Sequence, residues 1–107
     1  MKYWDIAFIE EAAKDRAALD ASTRRQVDQA IQKISKNPLA KSEGGYGEPL
    51  GHKHGKNLTG LLKIKLLKLG IRIIYKVIRD VEVMRIIVIA ARADDKVYEI
   101  AAKRNES

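Results

Sequence analysis

Residues 61–90 read LLKIKLLKLGIRIIYKVIRDVEVMRIIVIA and contain the clearest structural pattern of the chain. From Leu58 onward apolar residues recur at every second position, a period that is typical of strands with one buried face. Three such runs follow one another. Their apolar faces hold Leu62, Ile64 and Leu66 in the first run, Ile71, Ile73, Tyr75 and Val77 in the second, and Met84, Ile86, Val88 and Ala90 in the third. The positions between them, on the opposite face of each predicted strand, hold Lys63, Lys65, Arg72, Lys76, Arg85, Ile87, Ile89 and Ala91.

Two turn signals separate these runs. Gly70 can adopt the positive φ that a tight hairpin needs, and Arg79-Asp80 marks the next turn. The pattern therefore predicts three consecutive antiparallel strands in a meander. One face of such a sheet is apolar and must be covered by other elements.

The segments before the meander predict a strand and two helices. Lys2–Phe8 is rich in aromatic and branched residues and predicts a strand, whereas Ile9–Leu19 has helical spacing. Ser22 is a candidate N-cap for a second helix, and Asn37-Pro38 ends that helix because a residue before proline avoids helical geometry. The apolar stripe of the second helix consists of Val27, Ala30, Ile31 and Ile34.

Residues 38–57 contain both prolines and five of the seven glycines, so they are interpreted as a loop that is functional or mobile. Asp94–Arg104 predicts a short helix, since its acidic start and basic end suit the helix dipole. The predicted order is strand–helix–helix–strand–strand–strand–helix. This is an α+β fold of one domain, residues 1–107, with the helical pair packed on one face of an antiparallel sheet.

Composition restricts the class of protein. The chain has 107 residues and no cysteine, which excludes a disulfide framework and a thiolate metal site. Its net charge of +7 is uneven, with about +1 in residues 1–55 and +6 in residues 56–107. A basic half favours phosphates or an acidic protein as the partner.

The hydropathy pattern predicts neither a signal peptide nor a membrane span. Asp5 and Glu10 interrupt the N-terminal region before an apolar stretch of signal-peptide length can form. Cations break the apolar runs of residues 71–91, so none of them predicts a transmembrane helix. We therefore expect a cytoplasmic protein.

A set of cations on the exposed face of the sheet is the candidate functional site. Lys63 and Lys65 share one strand face, and Arg72 follows on the neighbouring strand about 5 Å away. Arg92 lies at the end of the third strand, and Tyr98 follows where the chain can fold back over this face. A single lysine on a strand is ordinarily a solvated residue. Several like charges side by side lower stability, so together they indicate that a negatively charged group binds there.

These residues resemble the signature of the RelE family, the mRNA-cleaving toxins of type II toxin–antitoxin pairs. The resemblance rests on Lys63-Ile64-Lys65-Leu66, Gly70-Ile71-Arg72-Ile73-Ile74-Tyr75, Arg92, Val97-Tyr98 and Ala102-Lys103-Arg104. The wider RelE/ParE superfamily shares Arg72 and Tyr75. Lys63, Lys65, Arg92 and Tyr98 together are typical of the RNA-cleaving branch. Asp94 and Asp95 depart from the more basic pattern of the family beside Arg92.

The resemblance implies ribosome-dependent cleavage of mRNA in the A site, in which the 2′-hydroxyl attacks the adjacent phosphate. Lys65 would accept the 2′-hydroxyl proton, and Arg92 would protonate or stabilise the leaving 5′-oxygen. Lys63 and Arg72 would stabilise the phosphorane, and Tyr98 would stack on or orient the substrate. The expected partners are a cognate antitoxin, the ribosome and mRNA, with no cofactor and no metal.

Two other functions remain open at this stage. One is a ParE-like gyrase inhibitor on the same fold, which would not need Lys63, Lys65 or Arg92. The other is a non-catalytic homologue that only binds an antitoxin. Two further motifs are not assigned to a site. His52 and His54 lack an evident third metal ligand, and Gly44-Gly45-Tyr46-Gly47 lacks the setting of a phosphate loop, so it is interpreted as a turn.

Overall fold

The computed structural model describes residues 3–53, 56–91 and 94–105, with no side-chain detail at residues 52, 53, 56, 57 and 94. Elements occur in the order strand, two helices, four strands and helix. They are β1 (Asp5–Phe8), α1 (Glu10–Ala17), α2 (Ala21–Ile34), β2 (Glu48–Lys53), β3 (Lys56–Leu66), β4 (Ile71–Ile78), β5 (Val83–Ala90) and α3 (Asp94–Asn105). The α+β class is therefore confirmed. Of the predicted first strand, Lys2 lies outside the described residues.

The meander predicted from residues 61–90 is present as β3, β4 and β5, which pair antiparallel in sequence order. Gly70 closes the first hairpin with a φ of 64°, a left-handed conformation that favours glycine. A single 3-10 turn at Arg79–Val81 closes the second hairpin, as the Arg79-Asp80 signal predicts. The alternation of apolar and polar residues thus predicted the three adjacent strands β3, β4 and β5 correctly.

The sheet has five strands in the order β1-β5-β4-β3-β2, which corrects the interpretation of residues 38–57 as a loop. Glu48–Lys53 forms β2, an edge strand that pairs antiparallel with β3. The sequence does not predict this strand because it contains Pro49 and Gly51, and both residue types are ordinarily depleted in strands. An edge strand tolerates proline, and the register shifts between these two residues. At the opposite edge β1 pairs parallel with β5.

A β-bulge in β5 shifts the predicted alternation. Ile74 pairs with Val88 and Tyr75 pairs with Ile86, so Ile87 is an extra residue in β5. After the bulge the faces exchange: Ile89 joins the core under the helical pair, and Val88 lies in the core on the other side. The prediction that Val88 shares a face with Met84 and Ile86 is therefore wrong.

Both faces of the sheet are covered, whereas the sequence predicts cover by the helical pair alone. The pair does pack on one face, as predicted, around a core of Ala12, Val27, Ile31, Ile34, Leu62, Ile71, Ile73, Tyr75, Met84, Ile86 and Ile89. A second core under α3 consists of Leu50, Leu58, Leu61, Ile74, Ile87, Val88, Val97, Tyr98 and Ala101. The helix predicted at Asp94–Arg104 is confirmed, but it covers the face on which the cations lie.

The N-cap of the second helix lies two residues before the predicted one. Asp20, rather than Ser22, is the N-cap residue, and its carboxylate accepts hydrogen bonds from the Thr23 amide at 3.2 Å and hydroxyl at 2.5 Å. These hydrogen bonds hold the pKa of Asp20 below its usual value. Within the described ranges, none of the helices combines the length and hydropathy needed to cross a membrane.

Candidate active site

The β3–β4 hairpin brings two of the predicted site residues together. Lys65 and Arg72 are direct partners in the antiparallel register, and Lys63 lies two residues before Lys65 on the same face of β3. The Lys65 side chain is exposed and that of Arg72 is half-buried. The expected juxtaposition of Lys65 and Arg72 is thus confirmed by the register.

Lys63 is buried, which corrects its assignment to the exposed face. Only 3% of the residue is exposed, because α3 packs over this part of the sheet. Its ammonium donates a hydrogen bond of 2.6 Å to the hydroxyl of Tyr98 and lies 3.9 Å from Oε1 of Glu48. A buried cation requires partners of this kind, since the loss of hydration is otherwise uncompensated.

Tyr98 is also buried, at 1% exposure, so its ring is not available to stack on a substrate in this structure. The Lys63 ammonium lies 5.2 Å from the ring centroid but only 2.6 Å from the hydroxyl. It therefore lies beyond the hydroxyl, at the edge of the ring and not over its face. This geometry makes Tyr98 a residue that orients Lys63.

A cleft of about 250 Å³ opens beside these residues. The cleft lies at the first residue of β2, Glu48, which pairs with Lys63 of β3. From Lys63, β3 continues to Leu66, past the end of its pairing with β2. The residues that line the cleft are Lys41, Tyr46, Glu48, Lys63, Ile64, Lys65 and Leu67. The cleft therefore combines lysines from β3 with residues from the segment between α2 and β2.

The sequence did not indicate the contribution of Lys41 and Tyr46 from that segment, or of Glu48 from the start of β2. Glu48 is the carboxylate of the cleft, half-exposed, and acts as a counter-ion for Lys63. Tyr46 is an exposed tyrosine between two glycines. A single aromatic residue in a glycine-rich turn was the one feature of the sequence that pointed to Tyr46. Periodicity does not show whether such a residue is buried or exposed, because a turn has no regular spacing.

The segment is fixed to the sheet by Tyr75. The Tyr75 hydroxyl is buried and donates a 2.7 Å hydrogen bond to the carbonyl of Pro38. Burial raises the pKa of Tyr75 well above its usual value, so the hydroxyl keeps its proton and remains a donor. Tyr75 therefore has a structural role, since it holds in place the segment that contributes Lys41 and Tyr46 to the cleft.

Two predicted positions lie outside the described residues. Arg92 is one of them, so its place in the site stays a prediction; the backbone nearby has Ala90 paired with Arg72. His54 is the other, and His52 lies in β2 without side-chain detail.

Other cavities are larger than the cleft, so volume does not identify the functional site. A groove of about 380 Å³ lies on the far side of the molecule, between β1 and the helical pair, and contains the Arg16–Asp28 ion pair. A second groove of about 490 Å³ separates α2 from the β3–β4 hairpin and shares Lys65 and Leu67 with the cleft. The chemistry of the lining residues, more than volume, distinguishes the Lys63–Lys65 cleft.

The arrangement can bind and stabilise a phosphate. Lys65 and Arg72 can contact an anion from the open side, while Lys63 provides a positive charge that is fixed in position. Charges held in place before reaction stabilise a transition state without reorganisation. The Lys65 amine, the exposed member of this set, is also placed to exchange a proton with a bound group.

A curated protein and several solved structures are similar to this chain. No family model matches the chain. An Escherichia coli protein described as a RelE-like toxin is 27% identical over 104 residues, which cover 97% of this chain and 98% of the relative.

Solved structures show the same fold. A double arginine-to-alanine mutant of the Escherichia coli toxin RelE, in the free state, aligns with a TM-score of 0.74 and 25% identity over 96% of this chain and 98% of that one. The same mutant in complex with a peptide of the antitoxin RelB aligns with a TM-score of 0.69 and 24% identity, again over 96% and 98%. In both sequence and fold, the chain is therefore similar to RelE toxins.

Proposed function

We propose that this chain is a cytoplasmic endoribonuclease toxin of a type II toxin–antitoxin pair, which cleaves mRNA in the ribosomal A site. The observation that carries the proposal is the geometry of the cations. Exposed Lys65 lies opposite Arg72, and Lys63 is fixed beside them at the base of an open cleft. Neither a gyrase inhibitor nor an inactive homologue would need this set of cations at an open cleft.

The proposed reaction is an internal transesterification. The 2′-oxygen forms a bond to the adjacent phosphorus, and the bond between phosphorus and the 5′-oxygen breaks. The products are a cyclic phosphate and a 5′-hydroxyl. Lys65, in its neutral form, accepts the 2′-hydroxyl proton, and Arg92 donates to or stabilises the leaving oxygen. Lys63 and Arg72 stabilise the charge on the phosphorane, with Tyr98 orienting Lys63.

The proposed dependence on the ribosome follows from what a cluster of cations can do. Fixed charges stabilise the phosphorane, but they do not align the 2′-hydroxyl opposite the 5′-oxygen. Holding reacting groups in line can contribute roughly 7–11 kcal/mol to lowering the barrier. In this proposal the ribosome supplies the alignment by holding the A-site codon, and the toxin supplies charge and proton transfer.

The proposed protein partner is a cognate antitoxin. Support comes from the structural relative that binds a peptide of the antitoxin RelB, and from the net positive charge of residues 56–107, which suits an acidic segment.

The test is single-turnover cleavage of one mRNA, free and bound to programmed ribosomes, with cut sites mapped by toeprinting. We expect cleavage in the A site, at a rate on ribosomes at least about five orders of magnitude above the rate on free RNA. Lys65→Ala should lower the ribosomal rate by about 10²- to 10⁴-fold while the protein stays folded, because the side chain is exposed.

Lys14→Ala is the matched control, since Lys14 is an exposed lysine on α1 outside the cleft. It should cleave at the wild-type rate. Equal wild-type rates on free and bound RNA would identify an autonomous nuclease. If wild-type protein cleaves neither substrate, the endoribonuclease proposal is wrong, and inhibition of gyrase becomes the assay of choice.

A further inference from the structure

The burial of Tyr98 leaves the site without the aromatic residue expected to contact RNA. The cleft contains another one. Tyr46 is 41% exposed and lines the cleft together with Lys63 and Lys65. The ammonium of Lys33, on α2, lies 5.7 Å from the centroid of the Tyr46 ring, so one ring face carries a cation while ring surface remains open.

The backbone around Tyr46 is held rigidly. The amides of Gly45, Tyr46 and Gly47 donate to the carbonyls of Ala40, Asn37 and Leu39, at 3.0 to 3.1 Å. These hydrogen bonds close residues 37–47 into a compact turn. The ring of Tyr46 therefore projects from a fixed position, which lowers the entropy lost on binding.

The two glycines beside Tyr46 have no room for a side chain. A Cβ at Gly47 would lie 2.5 Å from the Tyr75 hydroxyl and 2.5 Å from a methyl group of Leu62. A Cβ at Gly45 would overlap the backbone carbonyl of Leu39. The glycine-rich motif thus serves close packing of the turn against the sheet, and it places one large side chain, Tyr46, at the cleft.

Cations outnumber carboxylates around Tyr46, and Glu48, the carboxylate of the cleft, is the counter-ion of Lys63. Lys41 and Lys65 line the same cleft, and Lys33 and Lys68 line the groove that adjoins it at Lys65. Glu43 does not offset these charges, because its carboxylate is paired with Arg79 through hydrogen bonds of 2.7 and 3.0 Å that hold its pKa below the usual value. An exposed aromatic ring among lysines is the arrangement that binds single-stranded nucleic acid.

We propose that Tyr46 stacks on a base of the RNA substrate next to the phosphate that is cleaved, with the surrounding lysines on the RNA backbone. This inference rests on the proposed ribonuclease function and names the residue that positions its substrate. Stacking on a tyrosine accepts any base, so Tyr46 contributes to affinity and alignment and little to codon choice. RNA is favoured over a protein partner because the lysines repeat around the ring.

The first experiment is single-turnover cleavage on programmed ribosomes, with the half-saturating toxin concentration and the maximal rate measured separately. Tyr46→Ala should lower the ratio of rate to half-saturating concentration by roughly 5- to 150-fold, the loss of one stacked base. Tyr46→Phe should retain near wild-type values, since the ring is kept. Circular dichroism and thermal melting establish that each variant is folded.

Tyr3→Ala is the matched control. Tyr3 is equally exposed, at 45%, and has a lysine, Lys36, at the same 5.7 Å from its ring, but it does not line the cleft. It should cleave as wild type does. If Tyr46→Ala behaves like Tyr3→Ala, the stacking proposal is overturned, and the surface is one for a protein partner.

The second experiment separates this inference from the proposed function. Ribosomes carry an mRNA with 2-aminopurine in the A-site codon and 2′-deoxyribose at the cleavage position, so the nucleophile is absent and only binding is read. Wild type and Tyr46→Phe should quench the fluorescence of the base, and Tyr46→Ala should not. If wild type fails to cleave normal mRNA yet quenches through Tyr46, the cleavage proposal fails and stacking stands. Quenching that persists in Tyr46→Ala, or no quenching by wild type, overturns the stacking proposal.

Discussion

At the scale of single residues, the buried pair of Lys63 and Tyr98 is the most informative feature. A lysine at 3% exposure needs partners that offset its lost hydration, here the Tyr98 hydroxyl at 2.6 Å and the Glu48 carboxylate at 3.9 Å. The pair connects β3 to α3, so the position of a proposed catalytic cation depends on the helix that covers it.

We predict that Tyr98→Phe loses both stability and activity. Removal of the hydroxyl leaves the ammonium without its close hydrogen-bond partner, which should lower the free energy of unfolding by about 1–3 kcal/mol. Ribosomal cleavage should slow as well, because Lys63 is no longer held in position. Urea denaturation and single-turnover cleavage measure the two effects.

The double variant Lys63→Met/Tyr98→Phe distinguishes the roles of the pair. Two apolar residues of similar volume should restore most of the lost stability, since no unpaired charge remains buried. Cleavage should stay impaired in this variant. Restored cleavage would show that Lys63 contributes only to the fold.

At the scale of elements, the β-bulge in β5 is held by residues of two helices. Asp15 on α1 accepts from the Ile89 amide at 3.1 Å and from Arg104 of α3 at 2.7 Å. Arg104 also donates to the carbonyl of Ile87 at 2.9 Å. The bulge frees these two backbone groups from the strand ladder, and the Asp15–Arg104 pair satisfies them.

We predict that Asp15→Ala lowers the free energy of unfolding by about 1–3 kcal/mol, because a buried amide and a half-buried guanidinium lose their acceptor. Asp28→Ala is the control. The Arg16 hydrogen bonds hold the pKa of Asp28 below its usual value, but the pair is more exposed and binds no backbone group. Its loss should be under about 1 kcal/mol. Equal losses in urea denaturation would show that the bulge does not depend on Asp15.

At the scale of the whole molecule, α3 is the element on which the site depends most. It covers one face of the sheet, supplies the hydroxyl that orients Lys63 and closes the bulge through Arg104. Displacement of α3 would therefore release Lys63 and inactivate the site without any contact to Lys65. Displacement of α3 is therefore a physical route by which the proposed antitoxin would inhibit the proposed cleavage.

We predict that antitoxin binding increases hydrogen exchange in α3. Amides of residues 97–104 should lose protection in the complex, whereas those of α2, which packs on the other face, should keep it. Exchange followed by mass spectrometry, on free toxin and on the purified complex, gives the comparison. Unchanged protection of α3 would mean that the antitoxin inhibits by covering the cleft.

Local sequence patterns predict the three central strands of the sheet. Apolar and charged residues alternate along β3 and β4, with Ile74 as an exception, and this buries one face of both strands against the helical pair. That alternation predicted the meander, the α+β class and the pairing of Lys65 with Arg72. These features are local, because period and turn residues specify them within a few positions. The Gly70 turn sets the register that brings Lys65 opposite Arg72.

Contacts between distant segments, by contrast, determine which residues are exposed and which further residues lie at the site. Lys63 alternates like Lys65, yet it is buried because α3, some 35 positions along the chain, packs over it. Tyr46 carries no periodic signal and reaches the cleft through hydrogen bonds that close a turn against Tyr75. Burial and proximity depend on contacts between distant segments, and the pattern of any one segment does not contain them.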